Sequence, residues 1–434
     1  MTVIRVKDRD ALIQSLRAGV VPRTGQHLIQ VGRVLEIEAL LKDIALIADS
    51  GSSFRLVVGD YGSGKTFFLN LVRSVAIGKK LVTAHADLNP VRRLHSSTGQ
   101  SRSLYAELMC NLSTRVKPEG GALAGLVEKF VSSTITTAKS KGISPDVAIH
   151  QKLEYLTEMV NGYDFAVVIS AYWRGFEQDN EQLKADAIRW LRGEFTTKTE
   201  ARSALGVRTI VDDASFYDQL KLMGRFVRLA GYQGLLITLD EMVNLYKIVN
   251  SAARNANYEQ LLRILNDSLQ GNTEGLGFVL GGTPDFLSDP RRGLYSYPAL
   301  QSRLTENSFT KHGLVDYSGP VIRLSRLSQE DFYVLLTNIR HVYASGNPAN
   351  YLVPDEALQA FMSHCYKRIG EVYFQTPRTT ITAFIHLLAA LEQNKRADWR
   401  TLLQELEINA DKDELALQLD TPGIDDDELI NFKL

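Results

Sequence analysis

The chain has 434 residues, enough for two or three domains or one large module with an appended lid. Hydrophobic residues make up 44%, so a full core is available, and a formal net charge of −1 excludes a broadly basic chain that coats nucleic acid, though not a local basic groove. Cys110 and Cys365 lie far apart without metal-ligand spacing, so both are expected as buried apolar residues of a reducing compartment. The opening MTVIRVKDRDAL carries charges where a signal peptide needs an apolar run, and no segment has the length of an apolar membrane span. The expectation is a cytoplasmic protein without a membrane partner.

In chain order, residues 8–19 have helical spacing, with Leu12, Ile13 and Leu16 on one face and Gly19 as a stop. Val31, Gly32 and Arg33 turn the chain into a second helix, where Ile37, Leu40, Leu41, Ile44 and Ala45 recur on one side. Residues 54–58 read as a short buried strand and residues 66–76 as a helix. Between them, Gly59-Asp60-Tyr61-Gly62-Ser63-Gly64-Lys65-Thr66 fits the phosphate-binding pattern G-x-x-x-x-G-K-S/T at every fixed position. Glycines let the backbone fold tightly, so that its N–H groups point at a phosphate. Lys65 would reach the β- and γ-phosphates of a nucleotide, and the Thr66 hydroxyl would ligate Mg²⁺.

Residues 81–86 read as a second strand. Arg92, Arg93 and His95 follow it, as a solvated loop or as contacts to a phosphate backbone. Helices are expected at 101–116, within 122–138 and through most of 140–205, so residues of about 92–230 form a helical insertion ending in an amphipathic helix at 214–230. The insertion carries Trp173 and Trp190 but no catalytic pattern. An apolar run then ends in Asp240-Glu241. Acids at the carboxyl end of a buried parallel strand project into the crevice where α/β sheets bind ligands. Asp240 would hold Mg²⁺ through water, and Glu241 would polarise the attacking water.

A helix at 256–270 and a strand at 276–280 lead to Thr283, a polar residue at the strand's tip that by itself reads as a turn before Pro284. Arg303 lies in a Ser-Arg-Leu context, and Arg291 and Arg292 are alternatives to it. Residues 321–324 read as an edge strand, and helices at 328–342, 355–369 and 377–393 form a small α-domain. Thr376-Pro377-Arg378 opens its last helix, and the acidic stretch Asp425-Asp426-Asp427-Glu428 lies in a tail or docking peptide.

Several of these segments resemble parts of AAA+ and origin-recognition-type ATPases. That likeness implies that Val31 and Gly32 pack near the adenine base, with Thr283 as sensor 1, Arg303 as an arginine finger and Arg378 as sensor 2. More narrowly, residues 16–22, Val31-Gly32-Arg33, the loop at 59–67, Gly231-Tyr232 leading to Leu239-Asp240-Glu241, and Thr376-Pro377-Arg378 resemble the BREX-system ATP-binding domain family of bacterial anti-phage defence. The likeness runs over nearly the whole chain, and the length is similar to the compact BrxD-type member. It implies an α/β, AAA+-like P-loop NTPase core with a parallel sheet, a long helical insertion and a C-terminal helical lid. The divisions are a lead-in at 1–30, the core at 31–325, the lid at 326–400 and the tail at 401–434. The implied activity is ATP hydrolysis with Mg²⁺, driving or gating a DNA-associated defence complex. The implied partners are other BREX-type proteins, DNA and further copies of the chain or of relatives. The alternative is a slow-turnover, ATP-bound switch or scaffold that recruits effectors.

Overall fold

The computed structural model describes residues 4–307, 316–371, 374 and 377–408. Two compact units emerge: the larger holds the described residues among 32–60 and 64–325, and the smaller those among 1–31, 61–63 and 326–434.

In the larger unit, α2 (Val34–Ala48) follows the helix α1 (Val6–Arg17) of the smaller one. The chain continues through β1 (Ser53–Val58), α3 (Lys65–Gly78) and β2 (Val82–Asp87). A helical insertion follows: α4 (Gln100–Cys110), α5 (Leu123–Lys141), α6 (Pro145–Thr157), α7 (Gly162–Glu177), α8 (Glu181–Leu191), α9 (Lys198–Leu205) and α10 (Phe216–Leu229). Then come β3 (Leu235–Asp240), α11 (Val243–Tyr246), α12 (Ser251–Leu269), β4 (Leu276–Gly282), α13 (Pro284–Ser288), α14 (Pro298–Leu304) and β5 (Val321–Arg323). The strands form one parallel sheet in the order β2-β3-β4-β1-β5.

Both faces of the sheet are covered, which is why its strands read as unbroken apolar runs. Side chains alternate between the faces with the pleat. Val57, Leu236, Val279 and Ile322 join Leu40 and Ile44 of α2 and Phe68 and Val72 of α3 in one cluster. Leu56, Ala84, Ile237, Phe278 and Leu280 join Leu104 of α4, Leu220 of α10 and Leu261 of α12 in the other. The insertion shares this second core. Phe226 of α10 lies 5.1 Å from Phe130 of α5 and 5.5 Å from Phe165 of α7, ring centre to ring centre. Buried Asp164 on α7 accepts from the N–H groups of Arg208 and Thr209 and from the Thr209 hydroxyl, at 3.0, 2.7 and 2.6 Å.

Helix α4 ends at Cys110, earlier than its apolar spacing predicts. Beyond it Ser113 pairs antiparallel with Thr83, through bonds of 3.0 and 2.7 Å, and so covers the edge of β2. The expectation of two buried cysteines is corrected here: Cys365 is buried, but Cys110 is exposed because it closes α4 on its outer side.

The smaller unit joins α1 to α15 (Gln329–Tyr343), α16 (Asp355–Ile369) and the helices Arg378–Gln393 and Trp399–Glu405. The Thr382 hydroxyl donates to Leu16 O at 3.1 Å, and Phe361 meets Phe384 at 5.1 Å. A capping box of Ser328 and Asp331 starts α15. Thr376 and the acidic residues 425–428 lie outside the described residues. Among the described residues no helix is long and apolar enough to cross a membrane.

Candidate functional site

The parallel order brings the carboxyl ends of β1, β4, β3 and β2 to one edge of the larger unit. Each end carries a residue group of interest: the 59–66 loop after β1, Thr283 after β4, Asp240-Glu241 at β3 and Asp87 at β2. The loop is tied to its neighbour strand, since Gly59 N–H donates to Gly282 O at 3.2 Å. Gly62 and Gly64 take φ of +73° and +81°, a left-handed region that only glycine enters at low cost. Gly64 caps α3, whose N-terminal N–H groups and dipole are arranged for an anion. Tyr61, Gly62 and Ser63 link Asp60 to Gly64; Tyr61 is exposed and Ser63 buried.

Lys65 starts α3, and its ammonium donates to Gly59 O and Asp60 O, both at 2.8 Å. The Thr66 hydroxyl donates to Asp240 Oδ2 at 2.6 Å, joining the loop to the end of β3. Asp240 is buried, and its Oδ1 accepts from the Glu241 N–H at 2.8 Å. The bare backbone of Gly281 makes room for this carboxylate: a Cβ there would lie 2.4 Å from Asp240 Oδ1. Glu241 lies just past the strand with φ of +57°, an uncommon conformation for a non-glycine residue and one often held at functional sites.

The charges here are crowded. Burial lowers the pKa of Lys65, against the opposing pull of Asp240, Glu241 and Asp60. Glu241 opens to solvent at the rim, yet the protein around its carboxylate and then the charges of Asp240 and Asp87 push its pKa up. Asp87 is raised in the same way, first by burial and then by Asp240, while Arg92 counters. The Thr66 hydroxyl and the Asp240 carboxylate are hard oxygen donors at one point. They fit Mg²⁺, which takes few protein ligands and fills its octahedron with water and phosphate oxygens. Among the described residues no cluster of three or more His, Cys, Asp or Glu is arranged to hold a metal ion.

The other predicted residues take varied positions. Thr283 is buried, and its hydroxyl accepts from Phe286 N–H at 3.3 Å as the cap of α13. Arg303 is exposed on α14, where it bonds Asn266 of α12 and donates to Ala299 O at 3.0 Å. Arg292 lies over the Tyr246 ring at 5.3 Å and donates to Tyr246 O and Ile248 O at 3.1 and 3.3 Å, so it buttresses the loop after β3. Arg291 is exposed, with its N–H on Asp289 Oδ1 at 2.7 Å. Arg92 pairs with Glu107 at 2.9 Å. In the smaller unit, Val31 ends the N-terminal segment and Arg378 lies against Gly19. Gly32 precedes α2 with φ of +60°.

Two site residues escaped sequence reasoning. Asp87 pairs in register with Asp240 across β2 and β3, so a third carboxylate stands beside the predicted two. Its signal was an acid closing an apolar strand, the same pattern that marks Asp240. Arg33 points its guanidinium at the loop, with Nη1 3.5 Å from Gly64 O. The Val-Gly-Arg turn was visible, but not the direction of the arginine.

The fold and loop geometry describe an α/β protein with an all-parallel five-stranded sheet, compatible with a P-loop nucleotide-binding core. The family model for BREX system ATP-binding protein BrxC/D matches residues 4–407, and the chain belongs to that family. Membership carries an ATP-binding role in BREX defence and points to other BREX proteins as partners. No curated protein matches the chain.

Proposed function

We propose that the chain is an AAA+-type ATPase that hydrolyses ATP with Mg²⁺ to drive or gate a DNA-associated BREX defence complex. The observation that carries this reading is the 2.6 Å bond between Thr66 and Asp240, with Glu241 the next residue. It unites a phosphate-loop hydroxyl with a strand-end carboxylate, the two groups that would share Mg²⁺. When bound, Mg²⁺ would neutralise the charge developing on the β- and γ-phosphate oxygens. Lys65 would leave the carbonyls of Gly59 and Asp60 for those phosphates. Glu241 would accept a proton from the water attacking the γ-phosphorus as the bond to the ADP oxygen breaks. Thr283 would orient that water, through the hydroxyl proton that its cap bond leaves available. Arg303 would act as a finger on a neighbouring subunit's nucleotide, and Arg378 would act as sensor 2 from a lid of residues 326–400. Val31 and Gly32 would border the adenine.

The test is steady-state ATP hydrolysis by wild type and Glu241→Gln, with and without double-stranded DNA, alongside light scattering for mass. We expect turnover by a DNA-stimulated multimer, reduced about 10²- to 10⁴-fold in the variant with ATP binding retained. An equally active variant would overturn the assignment of Glu241.

A second reading is a nucleotide-gated switch or scaffold that binds ATP, turns it over slowly and recruits effectors. Stoichiometric retention of ATP by wild type, with no turnover and no response to DNA, would establish it.

A further inference from the structure

Opposite the nucleotide edge, the amino ends of β2 and β3 carry a surface of different chemistry. Parallel strands of six residues separate the two edges by about 20 Å. Lys80 directly follows α3 and its cap, two residues before β2, with φ of +65°. Glycine is the residue favoured at such a helix end, so a lysine there is held at a cost to the backbone. Its carbonyl accepts from Gln233 N–H at 3.1 Å, which fixes the lysine beside the 231–234 turn. In that turn Tyr232 lies under Lys129 of α5, whose ammonium stands 3.6 Å from the ring centre. Arg228 at the end of α10 donates to Gln233 O at 3.4 Å and to Ser50 Oγ. One turn earlier on α10, Arg225 covers the Tyr155 ring of α6 at 5.4 Å and pairs with Glu274.

Among the described residues Lys80, Lys129 and Arg228 have no acidic partner. The cations also crowd one another. The pKa of Lys129 is lowered by partial burial and then by the charge of Lys80, and that of Arg225 by burial, with Arg228 adding to it. Like charges held together by ring and carbonyl contacts mark a surface that a polyanion relieves.

We propose that this amino-edge surface, with Lys80, Lys129 and Arg228 as its unpaired cations, binds the phosphate backbone of double-stranded DNA without reading its sequence. The choice of DNA rests on the DNA-associated reading above. Backbone rather than base contact follows from the donors on offer: the unpaired groups are ammonium and guanidinium cations, and Lys129 stands 3.6 Å from the centre of the Tyr232 ring. Phosphate contacts by lysine and arginine supply affinity and position, and carry no sequence information directly.

The experiment is fluorescence anisotropy of a labelled 30-base-pair duplex of mixed sequence across a NaCl series. It compares wild type, Lys80→Gln/Lys129→Gln and Glu241→Gln, each first checked for an unchanged melting temperature and for binding of a fluorescent ATP analogue. Wild type and Glu241→Gln should bind with the same salt slope. The lysine double variant should bind at least tenfold more weakly at moderate salt, with the slope reduced by about two, one for each lost phosphate contact. A folded double variant with an unchanged slope overturns the proposal. So does a wild type that ignores the duplex, or one from which polyglutamate displaces DNA at matched charge, since the surface would then suit an acidic protein segment. An RNA duplex bound more tightly than DNA overturns the choice of nucleic acid. Failure of ATP hydrolysis with duplex binding intact would leave this surface standing and remove only the ATPase reading.

Discussion

Two clusters of charge flank β1 and are built in opposite ways. Near its start, Arg55 is buried against Asp43 of α2, with Nε and Nη2 on the two carboxylate oxygens at 2.6 and 2.9 Å. Its Nη1 donates to Tyr317 O at 2.9 Å and also to Gly319 O. Beyond its end, the carboxylates of Asp240, Glu241 and Asp60 act on the ammonium of Lys65, which is itself turned onto carbonyls, and Asp87 stands in register beside Asp240. The first cluster is closed: each charge has its counter-charge and the remaining donors are satisfied. The second carries an excess of negative charge and a strained backbone, which suits it to a cationic and phosphate-bearing ligand more than to holding the fold. Charge that serves stability is paired, and charge that serves a ligand is left crowded.

The largest test of this contrast is to break the closed cluster. Asp43→Ala leaves Arg55 buried and unpaired, and should cost about 3–5 kcal/mol in urea unfolding. Lys65→Ala should reverse the pattern, with stability changed by less than about 1 kcal/mol but ATP binding, followed by calorimetry, abolished. If both variants lose stability equally, the contrast fails.

A smaller effect is expected at Gly281. Its replacement by Ala places a methyl group 2.4 Å from Asp240 Oδ1 and 3.0 Å from Leu69 Cδ1. The overpacking should cost about 1–3 kcal/mol. Because it displaces the carboxylate that bonds Thr66, nucleotide affinity should fall more with Mg²⁺ present than with EDTA. An equal fall under both conditions would place the damage in the loop rather than at Asp240.

The smallest effect concerns pH. Asp87 has a raised pKa in the folded chain, so folding favours its protonated form. That contribution is fully present below the unfolded value of about 3.9 and is lost as pH rises through the folded one. Asp87→Asn removes a charge that is unfavourable at neutral pH. Its melting temperature should therefore exceed that of wild type by a small margin at pH 7.5, and the margin should shrink as the pH falls. Scanning fluorimetry across pH 5–8 checks this, and a variant less stable at pH 7.5 would show that Asp87 makes a favourable contact there.

The sequence by itself determined the strand–loop–helix at β1 and α3, the acids at the end of β3 and the helices that follow β5. These are legible because contiguous residues encode them: apolar runs, helical periodicity, glycines at fixed offsets. The tertiary structure alone decided what stands beside what. It inserted β4 between β1 and β3, set Asp87 opposite Asp240, aimed Arg33 at Gly64, committed Arg292 to Tyr246 and gathered Lys80, Lys129 and Arg228 at the amino edge. It also ended α4 early, because pairing of Ser113 with Thr83 satisfies the backbone better there than another helical turn. Strand order, register and side-chain direction depend on contacts between residues far apart in the chain, and no local pattern of residue types records which distant surface each will meet.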